Sequence, residues 1–189
     1  MNPAGEEKSP FIRYLEELVR NQDRSALAAL RRGLGKPPGK ALDMHRYVVP
    51  YLPQKLTWTQ EEEYFLLAAL FAYWHQGKDT LTVNPPPDLG ASLAQMATGD
   101  NQDSLDRRFI ALLKSHREDL PHHLRQVVGL LKSKDIPVDW SQLLKDLLNW
   151  NHEDQFVQRN WARSFWGRRS TAGTPELDTL KELNEEAAP

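Results

Sequence analysis

The chain contains no cysteine among its 189 residues. That excludes disulfides, thiolate metal sites and a cysteine nucleophile, and it fits a reducing compartment. No apolar run approaches the roughly 20 residues that a membrane-spanning helix needs. The first ten residues, MNPAGEEKSP, are polar and net acidic and predict no signal peptide. A soluble cytoplasmic protein is therefore expected. Alternating apolar and polar runs are missing and β-branched residues are scattered, so no strand is expected. No repeat of fixed period is visible, which weighs against a helical solenoid.

Catalytic motifs are missing as well. There is no Gly-x-Ser-x-Gly elbow, no dinucleotide fingerprint and no His-Glu-x-x-His. The loop GLGKPPGK at 33–40 lacks the Gly-Lys-Ser/Thr end of a P-loop, and no strand precedes it. The six histidines make no close metal pair and read as surface residues near helix starts. Glu61, Glu62 and Glu63 read as acids in the first turn of a helix, where the macrodipole favours them. A hydrolase would need a constellation that is not present. No enzymatic activity, no metal and no cofactor are expected.

What is present is helix. Ser9-Pro10 is an N-cap followed by proline, with Phe11, Leu15, Leu18 and Val19 on one face. Asp23 caps a second helix ending at Arg31-Arg32, and a short helix is expected over Leu42–Val49, closed by Pro50 and Pro53. Thr59 with Glu62 reads as a capping box opening a long helix through Trp74. Further helices are expected over Leu89–Ala97, from a Ser104 cap, and from Asp119-Leu120-Pro121. Asp139 caps the next; its Trp140, Leu143, Leu144, Leu147, Leu148 and Trp150 fall within less than half a helical wheel, with Lys145, Asp146 and Asn149 opposite. In the last, Val157, Trp161 and Phe165 recur one turn apart. The predicted fold is all-α, a compact antiparallel bundle of about eight or nine helices without a significant sheet. Residues 1–10 are expected to be flexible, 11–167 to form the domain, and 168–189 to be an acidic, partly disordered tail in which Leu177, Leu180 and Leu183 could form a marginal helix.

The net charge of −2 argues against a nucleic-acid partner until its distribution is considered. Residues 170–189 carry five acids against Lys181, and residues 1–10 carry a net −1, which leaves +3 for residues 11–169. Arg31, Arg32, Lys36, Lys40 and Arg46 surround a single Asp43. Arg107 and Lys114 share a helical face with Arg108 beside it. Arg125, Gly129 and Lys132 form another stripe, in which the glycine allows close approach by a backbone. Arg159 and Arg163, four apart, repel by a few tenths of a kcal/mol unless bound phosphates offset them. Contacts of this kind are made to phosphates, so they are blind to sequence and weakened by salt. Trp140, Trp150 and Trp161 are assigned to the core; Trp166, near the Arg159–Arg163 side, could belong to core or surface.

The segments RRGLGKPPG (31–39), SLDRRFIALL (104–113), LRQVVGLLKS (124–133), PVDWSQLLKDLLNW (137–150) and WARSFW (161–166) resemble the small subunit of the type I-E CRISPR Cascade complex, the CasB family. The match is collinear from about Phe11 to Trp166, and its most specific part is PVDW…LL…DL…W followed by WAR-aromatic-aromatic. The resemblance implies a non-catalytic all-helical subunit, present as two copies along a guide-RNA surveillance complex. Its implied partners are the other Cascade subunits, guide RNA, target DNA with its displaced strand, and a second copy of itself. Arg31, Arg32, Arg107, Arg108, Arg125, Lys132 and Arg163 lie inside the matched segments; Lys36, Arg46, Lys114 and Arg159 lie beside them. LGASLAQMA (89–97) resembles a family segment that often carries basic residues after Ser-Leu, but Ala94 and Gln95 stand there, so that helix is assigned no nucleic-acid role. The alternative is a helical adaptor that touches protein partners only; a gel shift at two salt concentrations separates the two.

Overall fold

Residues 58–74, WTQEEEYFLLAALFAYW, are apolar on almost every side beyond Glu63, and a helix apolar all round has to be buried. The computed structural model describes residues 8–81, 83–97 and 102–172, with side chains through Gly167. In it, α4 (Trp58–Trp74) is the central helix, buried from Glu63 to Ala72 and again at Trp74. Around it pack α1 (Pro10–Arg20), α2 (Arg24–Arg31), α3 (His45–Val48), α5 (Leu89–Ala94), α6 (Gln102–Leu113), α7 (Leu120–Ser133), α8 (Trp140–Leu148) and α9 (Phe156–Ala172). Helices α2, α7 and α8 lie directly on α4, α6 lies on α7, and α5 crosses α9 closely. No strand occurs among the described residues, so the fold is all-α as expected. No described helix is long and apolar enough to cross a membrane.

The caps explain most boundaries. Ser9 Oγ accepts from the Ile12 amide, Asp23 from Ala26, Asp88 from Ala91 and Asp139 from Gln142. Two expected starts are displaced. The capping box of α4 is Thr57 with Gln60, not Thr59 with Glu62, because Trp58 already occupies the first helical position. Ser104 lies inside α6, which begins at Gln102. The segment after Ala41 is a 3-10 turn, one α-helical turn and a second 3-10 turn reaching Tyr51, so Pro50 sits within it and does not close it. Helix α5 ends at Ala94, short of Ala97. Helix α9 continues past Gly167 to Ala172; Leu177, Leu180 and Leu183, like residues 1–7, lie outside the described residues.

Trp140, Trp150 and Trp161 are buried, as assigned. Their polar edges are used: Trp150 Nε1 donates to the Ser115 carbonyl at 3.2 Å, and Trp161 Nε1 to Asp146 Oδ2 at 2.6 Å. Asp146 is therefore a core residue and not a solvent-facing one, because α9 covers the flank of α8 that a single-helix wheel leaves open. Trp166 is 37% exposed, edge-on to Phe109 and Phe165. It bridges core and surface. His75 also departs from expectation. It is buried at the C-terminal end of α4, with Nδ1 2.9 Å from the Phe71 carbonyl, and burial pushes its pKa down to about 4.

Candidate nucleic-acid interface

Helix α7 buries Leu120, Leu124, Val127, Val128 and Leu131. That choice of inner face leaves Arg125 and Lys132, seven residues apart, on one flank. Between them Gly129 faces a side chain and not the expected backbone: a Cβ there would lie 3.2 Å from the Tyr73 hydroxyl of α4. Lys132 Nζ donates to Gln76 Oε1 at 3.0 Å and lies 4.5 Å from the Tyr73 ring centroid. Burial first, then the positive charges of Arg31 and Lys78, push the Lys132 pKa down. The ends of α2 and α4 therefore deliver cations to the same flank.

At the other end of the stripe, Arg125 meets the 33–40 loop. Its guanidinium lies 3.0 Å from where a Cβ on Gly35 would stand, and Gly35 has φ +79°, a conformation that favours glycine. Lys36, Arg125 and His122 line one cleft of about 520 Å³ with Pro37, Pro38 and Leu66; Glu62, Glu63 and Glu118 line its other side with Arg117, so the cleft carries both signs of charge. The fold thus sets Lys36 beside Arg125 at one end of the stripe, and brings Arg31 within the electrostatic reach of Lys132 at the other.

The remaining sequence-predicted residues lie elsewhere. Arg32 is paired with Asp43 at 3.1 Å, which neutralises part of its charge, and Arg46 lies against the Tyr47 ring at 4.5 Å. Arg108 lines a separate cleft of about 520 Å³ between α5, α6 and the end of α7, with Lys134 and Ser133. Arg107 is exposed on α6 and Lys114 just past its end, and Arg159 and Arg163 are exposed on α9. None of these last four lines the cleft that holds Lys36 and Arg125.

Arg117, in the α6–α7 turn, escaped sequence reasoning because it has no periodic partner. It donates to Glu63 at 2.8 Å, to Glu62 at 3.1 Å and to the Thr59 carbonyl. The acidic run was the available signal: Glu63 is buried and needs a cation. Burial pushes its pKa up to about 7, against the opposing pull of Arg117. Only Glu61 of the three acids occupies the first turn of α4. Among the described residues, no three metal-ligating side chains are grouped to hold an ion.

Comparison with known proteins places this geometry in a family. The model of CRISPR-associated protein Cse2 matches residues 26–166. A Cse2 of Thermus thermophilus is 36% identical over 184 residues, 93% of this chain and 98% of that protein. The crystal structure of CasB from Thermus thermophilus superposes with a TM-score of 0.69 at 34% identity, covering 84% of this chain and 99% of that one. A chain of a CRISPR RNA-guided surveillance complex superposes with a TM-score of 0.70 at 28% identity, covering 94% and 95%. The chain belongs to the Cse2 (CasB) family of CRISPR-associated proteins.

Proposed function

We propose that this protein is a non-catalytic small subunit of a type I-E Cascade surveillance complex in the cytoplasm, and that it stabilises the R-loop by holding nucleic-acid backbone. The observation that supports the reading is that each cation of the α7 stripe has a cationic neighbour from another element: Arg125 lies by Lys36, and Lys132 is within reach of Arg31. R-loop formation is nearly balanced in base-pairing energy, so a few backbone contacts tip it. Such contacts need cations on a rigid frame and no reacting group, which is what α7 and the 33–40 loop supply. The partners are the other Cascade subunits, guide RNA, target DNA with its displaced strand, and a second copy of the chain.

The experiment is charge reversal in the assembled complex. Lys36→Glu, Arg125→Glu and Lys132→Glu together are expected to shorten R-loop lifetime roughly tenfold or more, about 1.4 kcal/mol, with the helical circular dichroism unchanged. Arg163→Glu, on the separate α9 surface, is expected to do less. Wild-type lifetimes in the triple variant would sink the reading. The protein-only adaptor has one observation in its favour: Leu42, Val49 and Trp58 are large, apolar and at least half exposed. If that reading holds, the isolated protein shifts no nucleic acid in a gel even at low salt.

A further inference from the structure

Glu16 is a buried acid of α1, held by two cations. Arg20 Nη2 donates to its Oε2 at 3.2 Å from one turn along the helix. The other is Lys8, half exposed and outside the helix, whose Nζ donates to Oε1 at 2.5 Å. Lys8 and Glu16 line a cleft of about 230 Å³ between α1, the end of α4 and the start of α8, with Leu81 and Pro85 in its wall. His75 lines it too and is 2% exposed. Its Nδ1 lies 2.9 Å from the Phe71 carbonyl, which can only accept, so Nδ1 carries the proton. Burial keeps the ring neutral at physiological pH, so Nε2 presents a lone pair, and among the described residues nothing donates to it. The charge of Glu16 is felt at this ring, so the two acceptors stand close. His75 also borders a cleft on the side of Arg31 and Lys78, where a cationic donor would be repelled. Asp139 adds a further acceptor, its Oδ1 capping α8 through the Gln142 amide while Oδ2 is left over. Phe71 and Trp140, edge to face at 5.4 Å, supply the aromatic wall. Lys145 is the other cation of the lining. Within the lining, acids and cations balance while Lys8 is in place, and one negative charge is left when it swings out.

An ammonium that leaves water requires a carboxylate, further acceptors for its three donors, and gains from aromatic faces. The cleft offers all three, and the Lys8 ammonium already sits on its carboxylate. The volume lies below that of a drug-sized pocket and suits a short aliphatic chain against Ile12 and Leu81. We propose that this cleft binds a small aliphatic diamine, one ammonium on Glu16 and His75 and the other toward Asp139, and that Lys8 is the built-in ligand it displaces. Neither the cleft nor its ligand depends on the nucleic-acid reading.

The full-length protein is titrated with cadaverine at pH 7.5 and constant ionic strength, following the Trp140 indole N–H and the His75 ring nitrogens by NMR. Both signals are expected to shift saturably. Lys8→Met removes the competing ammonium from an exposed position and is expected to tighten binding about threefold to tenfold, as when a site closed for most of the time is opened. Glu16→Gln is expected to abolish the response. Absence of a saturable shift in the wild type, its survival in Glu16→Gln, or an unchanged affinity in Lys8→Met overturns the site; the last arm decides even if Glu16→Gln does not fold. N-acetyl-lysinamide, with a single ammonium, is expected to bind about tenfold more weakly than cadaverine. Equal affinity for the two would overturn the diamine and assign the cleft to a lysine side chain of a protein partner.

Discussion

Asp146 shows how a single residue can be misplaced by periodicity and recovered by chemistry. A helical wheel sets it away from Leu143, Leu144 and Leu147, yet it is buried and accepts from Trp161 Nε1 at 2.6 Å and Gln142 Nε2 at 2.8 Å. The readable signal was Trp161 itself, since a buried indole N–H requires an acceptor. Burial pushes the Asp146 pKa up to about 6, although both hydrogen bonds pull it down. The folded pKa lies above the ordinary carboxyl value of 3.8, so the native state holds the extra proton between about pH 4 and 6. Its contribution to stability is therefore lost as pH rises through that window. His75 runs the opposite way, because its folded pKa lies below its ordinary value, and Glu63 overlaps at the upper end. Asp146→Asn separates them. Its amide oxygen still serves Trp161 but carries no charge. Urea melts are expected to show the variant gaining on wild type from about pH 4 to pH 6 and levelling off above that. Asp146→Leu strands the indole and is expected to cost about 1–3 kcal/mol at every pH.

At the scale of elements, helix existence was legible throughout, and boundaries were displaced wherever a second capping sequence competed. Thr57 with Gln60 and Thr59 with Glu62 are both plausible boxes; the helix starts at Trp58 on the first, and Glu62 of the second is paired with Arg117 instead. How helices cross was not legible. Gly129 sits in an apparently informative stripe but faces only the tip of Tyr73, whereas Gly90 marks the tightest crossing: a Cβ there would stand 2.1 Å from the Trp161 carbonyl oxygen. Backbone cannot yield as a side chain does. Gly90→Ala is expected to force α5 from α9 and to cost about 1–3 kcal/mol or more. Gly129→Ala gains up to about 1 kcal/mol of helix propensity against a small shift of Tyr73, so its net effect is expected to be near zero. Chemical denaturation of the two variants side by side checks the contrast.

For the whole molecule, family and fold class were readable from collinear motifs and 3.6-residue periodicity, but the basic face was readable only where one helix carries it. Arg125 and Lys132 share a helix; Lys36 reaches Arg125 through the 33–40 loop and Arg31 comes within electrostatic reach of Lys132, which no spacing encodes. Net charge hides that face further, since residues 173–189 hold Glu176, Asp178, Glu182, Glu185 and Glu186 against Lys181. Deleting those residues turns the net charge from −2 to +2. Long-range repulsion of a polyanion then becomes attraction, while the phosphate contacts themselves are untouched. Single-strand affinity is expected to rise several-fold near 50 mM salt. The gain fades toward 0.5 M, where the Debye length falls to roughly 4–5 Å. Melting temperature is expected to stay unchanged, since the deletion removes no described core residue. Fluorescence anisotropy across that salt range measures both effects. Equal affinities at low salt would place the acidic residues beyond the electrostatic reach of the bound strand. A gain that persists at high salt would mean that they compete for the basic face by direct contact.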